Sequence, residues 1–251
     1  MAVSLGKSWI WWMTSEKSSD KYNAKRFYGR RTGKRLNTSR AEALDTLLPK
    51  LCLSDEELSS TLRIKDVFAK SHDHNILEIG FGTGEHFLEL ARQNPDSGLI
   101  GVEPFINGMA SFLRDLGEDS ALPQDNIRVY MDDAMLVVEA LEDQCLDKIY
   151  ILNPDPWHKA RHHKRRIIKP QNLDQFARVL KPGGQLVSST DVPYLAEWIV
   201  EHTEAHKAFD WAAGNGDNWK QRPDWWIDNK YATKGAKGAS EMHYMVFDKT
   251  L

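Results

Sequence analysis

The sequence predicts an α/β fold with a Rossmann-like, mostly parallel sheet and helices on both faces. From Asn75 onward, short β-type runs alternate with helical stretches, the pattern that parallel sheets with crossover helices produce. A glycine-rich turn follows the first of these runs, at a place where such sheets bind ligands. The 251 residues suffice for one such domain with a terminal extension, and no internal repeat or second domain boundary is visible.

The chain is expected to consist of a basic, flexible N-terminal arm over residues 1–37 and one folded domain over residues 38–251. The arm is polar and aperiodic, with glycines among cations and aromatic residues. Ser39, followed three residues later by Glu42, is typical of a capping box, so we expect a helix to begin near Ser39.

Six β-type runs define the predicted sheet. They are NILEIGFG, GLIGVEP, NIRVYMDDA, DKIYILNPDP, GGQLVSSTD and MHYMVFDK. Residues 209–240 hold four tryptophans among many Gly, Asp and Asn residues, which predicts a long loop before the final strand. We expect these tryptophans to pack within the protein more often than they stack on bases.

Positive charge is concentrated in two parts of the chain, although the formal net charge is only −3. The acid-free windows 21–41 and 156–173 hold fourteen of the 33 lysines and arginines. This distribution indicates an anion-binding surface, the alternative being two solvated basic faces with no ligand.

The sequence shows no sign of a membrane, export or metal role. No apolar run approaches the ~18 residues of a membrane helix, and the opening SWIWWM is too short for a signal segment. Cys52 and Cys145 are isolated, which fits packing thiols in a reducing cytoplasm. His158 and His162 lack a third ligand at zinc spacing, so we expect no metal. We expect a cytoplasmic protein, either a monomer or a homodimer.

The glycine turn is the first candidate site. Gly80, Gly82 and Gly84 let the backbone turn sharply and approach a bound nucleotide closely. The dinucleotide fingerprint would need glycine where Glu85 stands, and a carboxylate there would meet a pyrophosphate, which counts against NAD. The cationic sulfonium of S-adenosylmethionine tolerates acids, and Glu78 is a second acid at the same strand end. The alternative is a merely tight strand-to-helix turn.

Acids at the ends of the next two β-type runs predict the rest of a cofactor pocket. Glu103 lies roughly twenty residues after the glycine turn, where a carboxylate accepts hydrogen bonds from both ribose hydroxyls. Asp132 or Asp133 could reach an adenine amino group. Each acid alone could merely cap its helix, but the carboxyl ends of parallel strands meet in one crevice.

The stretch NPDPWHKARHHKRR sets a fixed acid beside a dense cation cluster. Pro154 and Pro156 stiffen the chain around Asp155, which we expect at the mouth of the crevice. When a methyl group is transferred to guanine N7, the ring gains positive charge. A carboxylate that accepts from guanine N1–H and the exocyclic amine would orient the base and offset that charge, while the cations hold phosphates. The alternative is a rigid strand end whose Asp caps the next helix.

These blocks together resemble the bacterial tRNA (guanine-N7)-methyltransferase family, which modifies guanine 46 in the variable loop of tRNA. EIGFGTGE, GVEP, PDPWHKARHHKRR and TDVPYLAEW are similar to the family's signature blocks and stand in the same order, and the similarity covers roughly residues 26–251. The resemblance implies a class I S-adenosylmethionine-dependent methyltransferase fold, S-adenosylmethionine as cofactor and tRNA as partner.

The glycine turn and the resemblance together assign the site residues. The predicted cofactor contacts are Gly80, Gly82, Gly84, Glu78, Glu103, Asp133 and Asp155, with Asp155 also the catalytic residue. The predicted contacts to tRNA are Lys159, Arg161, Lys164, Arg165, Arg166, Asp191, Asn229 and Lys234.

Three positions depart from the family pattern. Asn229 and Ala232 stand where the family has Thr and Glu, and Asn153 stands where it usually has an aromatic residue. Two alternatives therefore stay open beside an active tRNA methyltransferase. One is a catalytically weak RNA-binding protein that keeps the fold, and the other is a small-molecule methyltransferase, which would leave both basic windows unexplained.

Overall fold

A computed structural model describes residues 28–212, 218–227 and 241–250. The strands within them are β1 (Asn75–Ile79), β2 (Gly98–Val102), β3 (Ile127–Tyr130), β4 (Leu146–Leu152), β5 (Leu180–Thr190), β6 (Phe209–Trp211) and β7 (His243–Lys249). They form one sheet in the order β3-β2-β1-β4-β5-β7-β6. Strands β1 to β5 are parallel to one another, whereas β7 is antiparallel to β5 and β6 is antiparallel to β7.

Helices cover both faces of this sheet. They are α1 (Thr38–Leu51), α2 (Ile64–Val67), α3 (Glu85–Gln93), α4 (Ile106–Glu118), α5 (Ala134–Ala140), α6 (Pro170–Val179) and α7 (Pro193–Glu204). All five residues of β1 and all five of β2 are buried, as expected for strands packed on both sides. The predicted mostly parallel sheet with two helical layers, the class I methyltransferase fold, is confirmed.

The core divides between the two faces. On one face, α1, α3 and α4 pack around Phe87, Phe112 and Leu113, which are fully buried. On the other face, α5, α6 and α7 pack around Val137 and Phe176. Burial also raises the pKa of the Cys52 and Cys145 thiols to about 12, which keeps both protonated as packing groups.

The strand order explains where a ligand site forms. Strand β2 lies on one side of β1 and β4 on the other, so the chain reverses its direction of travel across the sheet at this point. Connections that leave the carboxyl ends of β1 and β4 run to opposite faces, and a crevice opens between them. The glycine turn follows β1, and the stretch containing Asp155 follows β4.

Two local predictions were wrong. Residues 209–240 are not all loop, because Phe209–Trp211 form edge strand β6, paired with β7. Helix α1 is capped by Asn37, whose Oδ1 accepts from the backbone N of Arg40 at 3.0 Å, so the predicted Ser39 capping box does not form. The amide oxygen of Asn37 satisfies one of the free N–H groups of the first helical turn, that of Arg40, whereas the Ser39 box would have used the N–H of Glu42.

Most tryptophans of the predicted loop pack against the sheet. Trp211 contacts Phe247 and Trp219 contacts His243, with ring centroids 4.8 and 5.5 Å apart. Trp226 is buried, whereas Trp225 remains exposed. No helix in the described ranges has the length and apolar character needed to cross a bilayer.

The described part of the N-terminal arm, residues 28–36, contacts the domain. Ile106 N donates to the carbonyl of Arg31 at 3.0 Å, and Gly33 N donates to Asn107 Oδ1 at 2.8 Å. Asn107 Nδ2 in turn donates to the carbonyl of Lys34 at 2.6 Å. These bonds fasten the segment to the start of α4. The predicted flexibility of the rest of the arm concerns residues outside the described ranges.

Candidate active site

The glycine turn between β1 and α3 has a left-handed backbone. Gly80, Gly82 and Gly84 have φ values of 75°, 62° and 88°, a region that other residues rarely adopt. A Cβ on Gly84 would also lie 2.6 Å from the ring of Phe112. The turn therefore requires glycine for its conformation, and it directs the N–H of Gly82 toward Glu103.

Glu103 is the best-defined acid of the site. Its Oε2 accepts from Gly82 N at 2.7 Å and its Oε1 accepts from Phe105 N at 2.8 Å. The side chain is 7% exposed, and burial raises its pKa to about 7, with the charges of Asp155 and Glu78 adding to the effect. A ligand that donates further hydrogen bonds to this carboxylate would favour its charged form.

The two acids after β3 already have protein partners. Asp133 Oδ1 accepts from Met135 N at 2.9 Å and caps α5, which is the alternative role that the sequence allowed for this acid. Asp132 Oδ1 accepts from Arg31 Nη2 at 2.5 Å and from Asp133 N at 2.8 Å. Arg31 lies in a basic window that the sequence linked to anions, yet here it pairs with a carboxylate of the domain. Contact of Asp133 with adenine stays a prediction.

A cavity of about 760 Å³ lies at this edge of the sheet, within the usual size range of small-molecule sites. The predicted residues that line it are Gly80, Gly82, Glu103, Asp133, Asp155, Lys164, Arg165 and Arg166. Tyr28, Gly29 and Arg30 form part of its wall, a role that the sequence did not indicate. The other predicted residues of the described chain, Glu78, Gly84, Lys159, Arg161 and Asp191, lie outside this lining.

Glu78 lies behind the cavity. Its carboxylate oxygen Oε2 is 2.8 Å from Nδ1 of His86, and both side chains are almost fully buried. The His86 ring in turn lies 5.1 Å from the ring of Tyr150. Glu78 thus acts on the cavity through its charge, which helps raise the pKa of Glu103, and direct contact with a cofactor stays a prediction.

Asp155 follows β4 in a turn with an unusual backbone. Asn153 and Trp157, on either side of the Pro154–Pro156 segment, have positive φ values of 49° and 45°. The Asp155 side chain is exposed at the cavity, although the surrounding protein removes enough water to raise its pKa. The 3-10 turn that follows, Ala160–Arg165, begins after Lys159, so Asp155 is not its cap.

The cations that follow Asp155 are not equivalent. Lys159, Arg161 and Lys164 are exposed. The guanidinium of Arg165 lies 4.7 Å from the ring centroid of Tyr28 and 5.0 Å from that of Trp157. Arg166 is only 3% exposed. The acidic side chain of Asp191, directly after β5, is partly buried.

Two predicted tRNA contacts, Asn229 and Lys234, lie outside the described residues. Among the residues that are described, no group of three or more His, Cys, Asp or Glu side chains is arranged to hold a metal ion.

The sheet order and the acid-lined cavity at its carboxyl edge define a class I methyltransferase fold. Residues 72–245 match the model of the family described as "Putative methyltransferase", and the chain belongs to this family. It is 41% identical over 225 residues to the tRNA (guanine-N(7)-)-methyltransferase of Rhodospirillum rubrum. The aligned region covers 88% of this chain and 87% of the relative. It is 38% identical over 233 residues to the protein of that name from Brucella anthropi, with 93% and 98% covered.

Solved structures show a more distant likeness. The 16S rRNA methyltransferase KamB is 15% identical, with a TM-score of 0.49 over 72% of this chain and 89% of that chain. A mutant 16S rRNA (adenine(1408)-N(1))-methyltransferase from Catenulisporales acidiphilia, solved with the cosubstrate SAM, is 16% identical, with a TM-score of 0.49. That likeness covers 79% of this chain and 92% of the other.

Proposed function

We propose that this chain is a tRNA (guanine-N7)-methyltransferase that uses S-adenosylmethionine to methylate guanine 46 of the variable loop. The observation that carries the proposal is the exposed carboxylate of Asp155 on the same cavity as Glu103 and the glycine turn. The names of the relatives from Rhodospirillum rubrum and Brucella anthropi support the choice of tRNA and of guanine N7.

The residues of the cavity fit S-adenosylmethionine. Each oxygen of Glu103 accepts one backbone N–H, which leaves further lone pairs for two ribose hydroxyls. The left-handed turn at Gly80 and Gly82 lets the backbone approach a nucleoside without side-chain obstruction. Asp133 lines the cavity beside the Glu103 region and would face the adenine. When bound, the cofactor supplies an electrophilic methyl group on a sulfonium.

Asp155 would bind and orient the target base. Guanine N7 carries a lone pair and no proton, so the attacking atom needs no general base. A carboxylate that accepts from N1–H and the exocyclic amine fixes the ring and opposes the positive charge that the ring gains. The exposure of Asp155 at the cavity leaves its oxygens accessible to such donors.

The exposed cations after Asp155 would hold the tRNA backbone. Lys159, Arg161 and Lys164 project from one short segment and could contact successive phosphates, which fix the register of the RNA without reading its sequence. Asn229 and Lys234 remain proposed substrate contacts, as does Asp191. A tRNA substrate also agrees with the cytoplasmic location expected from the sequence.

The test is methyl transfer to tRNA that lacks this modification. The protein is incubated with labelled S-adenosylmethionine and such tRNA, and the labelled nucleoside and its position are mapped. We expect N7-methylguanosine at position 46, and a transcript with adenine at that position should accept no label. Binding of tRNA without any transfer would instead support the catalytically weak RNA-binding protein.

A further inference from the structure

Arg166 differs from every other cation of the 156–173 window because it is buried, with 3% of its surface exposed. Its Nε donates to the carbonyl oxygen of Pro156 at 3.0 Å. The guanidinium carbon lies 4.5 Å from the ring centroid of Trp198 and 5.6 Å from that of Tyr194. Arg166 lines the cavity but is almost fully buried, so it would have to leave this site to reach a tRNA phosphate at the protein surface.

The backbone that Arg166 contacts is the turn that carries Asp155. Asn153 and Trp157, with their positive φ values, adopt a conformation that persists only where its surroundings fix it. Asn153 N donates to the carbonyl of Ser189 at 2.8 Å, which anchors the turn to β5. The bond from Arg166 to Pro156 anchors the other end. Asp155 lies between these two anchors.

The aromatic side of this contact is also fixed to the domain. Trp198 lies in α7, and its Nε1 donates to the carbonyl of Ile168 at 2.8 Å. Tyr194, one helical turn earlier, is hydrogen-bonded through its hydroxyl to Nδ1 of His158. Arg166 therefore connects the Asp155 turn to helix α7. It is hydrogen-bonded to Pro156 of the turn and makes cation–π contacts with Trp198 and Tyr194 of the helix.

We propose that Arg166 is a positioning residue, which holds the Asp155 carboxylate where the target guanine binds, and that it is not a phosphate ligand. The inference rests on the proposed function. It separates Arg166 from Arg161, which belongs to the same basic run but is exposed.

Steady-state kinetics with unmodified tRNA test this separation. Arg166→Lys and Arg166→Met should lower kcat by about 10- to 100-fold, since a misplacement of about 1 Å at a reacting group can cost 10²-fold. The KM for tRNA and its salt dependence should stay within about twofold of wild type. The matched control Arg161→Met should do the reverse, with a higher KM and a shallower salt slope. A raised KM and an unchanged kcat in the Arg166 variants would make Arg166 a phosphate ligand.

A double-mutant cycle with Asp155→Asn tests whether Arg166 acts through Asp155. Arg166→Lys should lower kcat in the wild-type background but cause little further loss in the Asp155→Asn background. Additive losses would overturn the inference while leaving the proposed function intact. A wild-type protein that transfers no methyl group to tRNA would instead contradict the proposed function.

Thermal unfolding and cofactor affinity report whether each variant keeps its fold. If the Arg166 variants unfold, Tyr194→Leu takes their place in the double-mutant cycle. This change removes one of the two rings that contact the Arg166 guanidinium. Tyr194 is 39% exposed, so the helix should tolerate the change. A wild-type kcat in Tyr194→Leu would then count against the inference.

Discussion

Cofactor affinity should fall as the pH is lowered from 8 to 6, because Glu103 takes up a proton in this range. Its pKa of about 7 follows from burial, with the charges of Asp155 and Glu78 adding to it. Relative to an ordinary glutamate, this corresponds to roughly 3 kcal/mol in favour of the neutral form. The ribose hydroxyls of S-adenosylmethionine would donate to the charged form, so binding of the cofactor should lower the pKa of Glu103 and release a proton.

The size of the effect follows from the titration of one group. With a pKa of about 7, Glu103 is about nine-tenths charged at pH 8 and about one-tenth charged at pH 6, so the dissociation constant should rise ~10-fold. Isothermal titration calorimetry at pH 6, 7 and 8 measures this change. Repeating the titrations in buffers of different ionisation enthalpy measures the released proton directly.

Glu103→Gln is the matched control. The α-amino group of the ligand titrates at about 7.7–8.0 and contributes its own pH dependence to every variant. The Glu103→Gln variant keeps the pH dependence that comes from the α-amino group but loses the contribution of the carboxylate. It should therefore bind the cofactor more weakly than wild type at pH 8, and its affinity should depend less on pH. If the wild-type constant changes with pH no more than that of Glu103→Gln, then Glu103 does not hold the ribose.

Three further perturbations address the substrate side and the N-terminal segment. Asp155→Asn should keep the fold, as measured by thermal unfolding, and lower the single-turnover rate at saturating tRNA and cofactor by ~100-fold or more, because an amide cannot offset the charge on guanine; a rate within threefold of wild type would make Asp155 structural. Reversing Arg161 and Lys164 to Glu should weaken tRNA binding and flatten its salt dependence between about 50 and 200 mM, and an unchanged slope would leave the run a solvated surface. Arg31→Ala removes the 2.5 Å contact with Asp132, so amide hydrogen exchange in residues 28–36 should become faster; unchanged protection would mean that the backbone bonds to α4 hold the segment alone.

The fold could be predicted because its central strands carry a local signal. Strands β1 and β2 are buried on both faces and therefore appear as uninterrupted apolar runs bounded by turns. Strand β6 carries no such signal, since it has only three residues and exists through its pairing with β7 at the sheet edge. Pairing between segments distant in sequence is a tertiary property that the pattern of one segment does not contain.

The acids of the site were predicted from their common place at strand ends, and the sheet brings Glu103, Asp133 and Asp155 to one cavity. Glu78 had the same apparent signal but lies inside β1, where all five residues are buried. In a strand buried on both sides, the alternation of side chains does not distinguish a cavity-facing acid from a core-facing one. Its partner His86 lies eight residues later in α3, and their 2.8 Å contact depends on how that helix packs.

The different roles of the cations after Asp155 depend on residues that lie further along the chain. Charge alone makes Arg161 and Arg166 equivalent, and the sequence assigned both to tRNA. The distinguishing signal is in α7, where Tyr194 and Trp198 are four residues apart and present two aromatic rings on one helix face. Such a pair can pack against a cation, but several cations precede it in the chain, and only the packing of α7 beside the Asp155 turn selects Arg166. Burial against those rings removes Arg166 from the surface, so the proposed phosphate contacts of this stretch are assigned to the cations that remain exposed.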